Sequence, residues 1–284
     1  PTGLTASVRR FDVPGGLSLA FSAGLALFAV TQGQAEGFAS PVSWGSFAAA
    51  GILAVLFVRR IGRVSEPFVT PHFFCDRAFV AASTTGFFMQ FTYVGSLILF
   101  PLMLSDVNGL SAAGIGLVLV PGAIVVAALS PVAGKLSDRF EARTIVRVGL
   151  VVIGLSTFAT SAFAAGGPLV AVALGVLGLG AGYALIVSPN VNAAAASLSV
   201  EETGVGIGIY QMLFILGGGF GTAVAATFLA ARQGAETVAI NPLFTATSAP
   251  YSDALLLLTA ATVVSFVATF GSRDGGAVKG GADG

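Results

Sequence analysis

Apolar residues fill eight runs separated by short polar segments: about Pro14–Gln32, Pro41–Val58, Phe79–Leu104, Ser111–Ala133, Ile145–Ala165, Pro168–Ala196, Gly204–Ala231 and Ala254–Phe270. Each reaches the roughly 17–25 residues a helix needs to cross a bilayer. Inside them the only charged residue is Arg147, at the edge of the fifth. Lipid offers the backbone no hydrogen-bond partners, so such segments must be helices. The pattern predicts an all-α integral membrane protein with eight transmembrane helices. Between the second and third runs, SEPFVTPHFF carries two prolines and is too polar and too broken to span. It separates a first helix pair (1–76, with its linker) from a six-helix bundle (77–270), and a Gly-rich polar tail (271–284) reads as disordered.

Charge placement orients these helices. The segment Pro131–Gly149 packs Lys135, Arg139, Arg143 and Arg147 with Asp138 and Glu141 between two apolar runs, as a short inter-helix loop does. Lys and Arg collect on the cytoplasmic side of membrane proteins. With both termini inside, Arg9, Arg10, Arg59, Arg60, Arg63, Arg77, the loop cations, Arg273 and Lys279 all fall in the cytoplasm, and Arg232 alone falls outside. Losing or adding one span would scramble that split. The expected location is therefore the cell membrane, with N- and C-termini cytoplasmic.

Composition agrees and narrows the function. Only 9% of residues are charged, against about 25% in a soluble domain, and mean hydropathy is +0.93. A formal net charge of zero gives no reason to expect nucleic acid. The single cysteine, Cys75, excludes an internal disulfide and a multi-thiolate metal site, and its plain reading is a small residue packed beside Phe73 and Phe74. The sole histidine, His72, lies at a helix end, so neither HExxH nor a Ser–His pair within a span is available. No Walker A sequence occurs. The residues thus point to no enzyme, no cofactor and no metal. No carboxylate falls near mid-membrane, where a charge is kept for ion or proton handling, so the chain shows no proton carrier of its own.

Polar and small residues inside the spans carry the remaining chemistry. Gln90, Thr92, Tyr93, Tyr210 and Gln211 sit deep in apolar runs and should face a bundle interior or cavity rather than acyl chains. Gln90, Tyr93, Tyr210 and Gln211 are the candidates for lining a cavity, while Asn190 and Asn192, after Pro189, either join them or cap a helix. Gly178 and Gly182 stand in GxxxG register, and Gly217, Gly218, Gly219 and Gly221 cluster in the seventh run. Small residues let helix backbones approach closely. These faces serve either static packing or sliding during a conformational cycle.

The loop GKLSDRFEAR resembles the major facilitator signature G-x-x-x-D-R-x-G-R-R/K, which joins the second and third helices of a six-helix half. Gly134, Asp138, Arg139 and Arg143 match its first, fifth, sixth and tenth positions, and Glu141 and Ala142 depart from the Gly and Arg of the pattern. ETGVGIG with the glycine cluster after it is similar to the fifth helix of such a half. The first pair, opening with FDVPGG, is similar to the two extra helices that fourteen-helix drug:proton antiporters insert between their halves. The resemblance implies an extra helix pair followed by one major-facilitator-type half, in a multidrug exporter working by proton-coupled alternating access. It implies a small-molecule substrate, the lipid bilayer and a missing N-terminal six-helix half as partners, and a gating role for Gly134, Asp138, Arg139 and Arg143; alternatively the loop cations only set topology. A start at Pro1 rather than Met is expected for a fragment or processed product. A non-transporting membrane subunit built on half a transporter fold, and a permease for lipids or metabolites, are the other functions the residues allow.

Overall fold

The computed structural model describes residues 12–37, 40–64, 69, 72–137, 139–165, 167–200, 202–234, 238–245 and 247–271. Among them all regular structure is helical, and eight helices have the length and hydropathy to cross a membrane. These are α1 (Val13–Glu36), α2 (Pro41–Ile61), α4 (Arg77–Asp106), α5 (Ala112–Ser137), α6 (Ala142–Ala159), α7 (Leu169–Ala196), α8 (Thr203–Gln233) and α9 (Ala249–Ala268), with a four-residue α3 (His72–Cys75) before α4. Arg9, Arg10, Asp138 and the expected tail beyond Gly271 lie outside the described residues.

Local chemistry sets where the helices begin. Asp12 accepts a hydrogen bond from Gly15 N (3.1 Å), Ser40 from Ser43 N (3.2 Å), and Asp76 from Ala78 N (2.7 Å) and Phe79 N (2.9 Å). Each satisfies backbone donors that the first helical turn leaves free. Pro14 and Pro41 occupy first-turn positions, where the missing N–H is no loss. Pro101, Pro121, Pro131 and Pro189 instead lie inside helices, which neighbouring groups in a bundle permit.

Helix α4 is the axis of the six-helix bundle. It packs against α8, α9 and α7, while α7 also holds α5 and α6, and α9 closes against α6 and α8. Met89, Leu99, Phe100, Met103, Leu150, Ile153, Leu179 and Leu258 form its core. Helix α5 is the least enclosed, resting mainly on α7 with Leu117 75% exposed. The α1–α2 hairpin is pinned by Ser22 Oγ donating to Ala50 O and Ser43 Oγ to Ala29 O, both 2.9 Å. It joins the bundle where α1 meets α8 and where Phe57 and Ile61 cluster with Phe73, Phe79 and Ile209.

Three local features differ from the sequence expectations. The last helix starts at Ala249, five residues earlier than expected, and so encloses Asp253. Pro250 is tolerated in its first turn, and Arg232 neutralises the buried carboxylate. The fifth span ends not in α-helix but in a π turn, Thr160–Ala164. Cys75 is exposed instead of packed, because α3 turns Phe73 inward against Phe79, ring centroids 5.6 Å apart, and leaves Phe74 and Cys75 outside.

Candidate functional site

Polar side chains converge half way along α4 and α7. Gln90 and Tyr93 lie three residues apart, hence on one face of α4, and the Tyr93 ring stacks on Tyr183 of α7 with centroids 3.8 Å apart and planes 18° apart. All three are only half-buried, while Gln90 Oε1 itself is buried and has no hydrogen-bond partner among the described residues. A polar group without a partner is costly at this depth. Such a face fits a water-filled or ligand-filled space better than contact with acyl chains. Tyr183 was not among the residues singled out from the sequence; its only signal is a phenol in the middle of an otherwise apolar run.

Tyr210 and Gln211, adjacent in sequence, go to different places. Tyr210 is fully buried, and Asn190 Nδ2 donates to both Tyr210 Oη and Ala82 O at 2.9 Å. This cross-link ties α7, α8 and α4 together, and Gly86 makes room for it, since a Cβ there would lie 2.9 Å from Tyr210 Oη. Asn190 is thus inside α7 and engaged across the bundle rather than capping a helix, whereas Asn192 is exposed. Gln211 points into a crevice of about 600 Å³ between α1 and α8 whose other walls are apolar. Thr92 Oγ1 donates to Leu258 O (3.0 Å) and accepts from Thr262 Oγ1 (3.1 Å), binding α4 to α9.

The predicted small residues lie at helix crossings. A Cβ on Gly182 would meet Gly149 O at 2.6 Å, one on Gly217 would meet Phe87 O at 2.2 Å, and one on Gly221 would meet Phe91 O at 2.1 Å. Added side chains at Gly178 and Gly218 would meet Ser156 Oγ (1.9 Å) and Val94 (3.1 Å), and at Gly219 Leu27 of α1 (2.8 Å). Close backbone approach of this kind is what small residues permit between membrane helices.

The loop between α5 and α6 is open. Gly134 lies in the last turns of α5 with open space where a Cβ would stand, Arg139 is exposed, and Arg143 is half-buried and engaged. Asp138 lies outside the described residues. Glu141 caps α6 by position without a side-chain hydrogen bond. The firm tie at this end is Arg147, whose Nε and terminal nitrogen donate to Thr269 Oγ1 (3.1 Å) and Thr269 O (3.3 Å) while its guanidinium covers the Phe270 ring at 4.2 Å.

At the opposite end polar groups interlock. The fully buried Asp253 pairs with Arg232 and accepts from Ile240 N (2.7 Å), and Arg232 also donates to Val238 O (2.8 Å). Asn241 donates to Ser161 Oγ (2.9 Å), and Thr245 N, Thr247 N and Ser248 N donate to Ala162 O and Ala165 O. The π turn and the residue after it supply these acceptors, because the last carbonyls of a helix have no donor within it. The loop after α8 is thereby stapled onto α6.

A family model described as Major Facilitator Superfamily matches residues 12–222 and 81–273. Over 225 residues the chain is 31% identical to multidrug resistance protein Stp of Mycobacterium tuberculosis, covering 78% of this chain and 41% of that protein. It is 29% identical over 184 residues to the methylenomycin A resistance protein of Streptomyces coelicolor (64% and 38%), and 27% identical over 207 residues to the lincomycin resistance protein LmrB of Listeria innocua (73% and 44%). The chain spans about two fifths of the length of these curated relatives.

Proposed function

The chain belongs to the major facilitator superfamily, and from that premise we propose that it is the C-terminal part of a fourteen-helix drug exporter, an extra helix pair followed by one six-helix half. Its relatives are named for resistance to drugs and antibiotics. The observation that carries the reading is the half-buried face of Gln90, Tyr93 and Tyr183 at mid-span, with an unpaired acceptor among apolar helices. In transporters with repeated halves, substrate binds near the bilayer midplane between the halves. Aromatic rings beside an amide suit amphipathic drugs with flat apolar bodies. A second six-helix half closes the space over this face.

The same reading divides the labour of coupling. The mid-span face holds no carboxylate, and the one buried carboxylate within a described span, Asp253, is committed to Arg232. The proton-carrying group therefore belongs to the other half. The α5–α6 loop faces the cytoplasm, because Arg59, Arg60, Arg63, Arg77, Lys135, Arg139, Arg143 and Arg147 share its end of the molecule and only Arg232, among described Lys and Arg residues, lies at the other. Gly134, Asp138, Arg139 and Arg143 act there as a gate that pairs across the two halves in one state and separates in the other.

Two measurements test this. In the full-length protein, Tyr93→Ala and Tyr183→Ala each lower drug efflux by up to about tenfold at unchanged expression, the value of a lost aromatic contact. Full efflux in both variants would remove the face from the substrate path. Reconstituted alone in liposomes, this chain inserts but moves no protons when drug is added; drug-dependent acidification would place a coupling group within these residues.

A further inference from the structure

Two cavities meet at the start of α4. One, of about 430 Å³, lies between α4 and the end of α9 and is lined by Cys75, Arg77, Thr84, Ala268 and Gly271. The other, of about 220 Å³, is walled by Phe74, Phe79, Phe87, Phe88 and Leu213 and contains Ser83. Phe74, Val80 and Thr84 border both, so the two are continuous. The smaller, with four phenylalanines in its wall, suits a single hydrocarbon chain.

Two polar groups in this place lack partners. Arg77 is exposed and forms no ion pair among the described residues; the neighbouring Asp76 is spent on capping Ala78 N and Phe79 N, and Arg147 is held by Thr269 and Phe270. Ser83, only 5% exposed, has a hydroxyl without a hydrogen-bond partner. A donor left bare in an apolar wall is expensive unless something else accepts from it. Arg77 is the first residue of α4 and stands at the membrane surface, and Ser83 lies six residues, about 9 Å, deeper along the helix. A cation at the surface, a donor one to two turns below it and an aromatic slot beyond follow the layout of a phospholipid: phosphate, ester carbonyl, acyl chain.

We infer that this surface is a specific site for one anionic phospholipid of the bilayer, its phosphate on Arg77, an ester carbonyl accepting from Ser83 and one chain in the phenylalanine slot. Arg59 and Arg60 in the last turn of α2, with Arg63 just after it, lie at the same end of the molecule, and basic pockets between membrane helices select anionic headgroups. The lipid would bridge α3, α4, α8 and the end of α9.

Cys75, the only cysteine in the chain and a wall of the outer cavity, reports occupancy. The purified chain is reconstituted in phosphatidylcholine vesicles with and without about a third phosphatidylglycerol, and modification of Cys75 by N-ethylmaleimide, a neutral reagent, is timed; the anionic lipid should slow it by about fivefold. Arg77→Gln and Ser83→Leu should each abolish the slowing, and Arg77→Lys should keep it. Equal slowing in Arg77→Gln would reveal a general surface-charge effect and overturn the site. Shielding by phosphatidylcholine alone, or shielding that rises with protein density, would assign the surface to a zwitterionic lipid or to a second copy and would equally overturn it. Native mass spectrometry supplies a second readout: one phosphatidylglycerol retained per chain, lost in Ser83→Leu even if Arg77→Gln does not fold.

Discussion

The two ends of the six-helix bundle handle polar groups in opposite ways. Where α8 meets α9, the buried Asp253 holds Arg232 and Ile240 N, the buried Asn241 holds Ser161, and the helix-end carbonyls of Ala162 and Ala165 accept from the loop after α8. Where α5 meets α6, the charges face outward, and a single arginine, Arg147, bonds α6 to the end of α9. Buried polar networks hold one arrangement because every alternative strands a donor or acceptor. Exposed cations can exchange one partner for another at little cost. A bundle built this way has a fixed end and an adjustable end, joined by helices stiffened through glycine crossings.

The largest expected effect breaks the fixed end. Asp253→Ala leaves the partly buried Arg232 without its counter-charge and frees Ile240 N, and should lower stability by up to about 3 kcal/mol, read as the midpoint of unfolding in detergent. Adding Arg232→Leu should recover much of the loss, since an apolar pair can replace a buried ion pair with little penalty. A loss below about 1 kcal/mol in the single variant would put the pair among the weak surface bridges and erase the contrast between the ends.

A smaller effect tests the link between them. Gly221 lies within α8 against the backbone of α4, where any Cβ falls 2.1 Å from Phe91 O. Gly221→Val should cost about 1–3 kcal/mol through overpacking, whereas Gly208→Val, at a position with open space around it, should be nearly neutral. If both behave alike, the close crossing is not what stiffens the bundle.

Much of this was legible in the sequence. Asp12, Ser40 and Asp76 announce helix starts ahead of apolar runs, and the runs themselves are forced into helices by lipid, so all eight spans could be read. Facing could not. Helices such as α4, α7 and α9 are apolar nearly all round, and periodicity that would separate inside from outside in a soluble helix is flattened when the outside is also hydrocarbon. That is why Tyr210 and Gln211 looked equivalent although one is fully buried and the other lies in a crevice, and why Tyr183 went unnoticed beside Tyr93. Pairing was hidden for another reason: Asp253 and Arg232 are 21 positions apart, and nothing local tells a carboxylate at the edge of a span that a cation will meet it there.

The smallest effect sharpens the adjustable end. Arg147→Gln removes a cation from the Phe270 ring and its charge-assisted bonds to Thr269. At a partly exposed site a cation–π contact is worth about 0.5–1 kcal/mol, and Gln reaches part of the same distance with a neutral donor, so global stability should fall by about 1 kcal/mol or less. The informative readout is local. Amide exchange should quicken in the first turn of α6 and the last turn of α9, which depend on this contact, while amides at Ile240 and Thr245, held by Asp253 and the π turn, should keep their rates. Faster exchange at both ends would mean that the bundle loosens as one body, and the division into a fixed and an adjustable end would fail. Faster exchange at the α6–α9 end alone would separate the two.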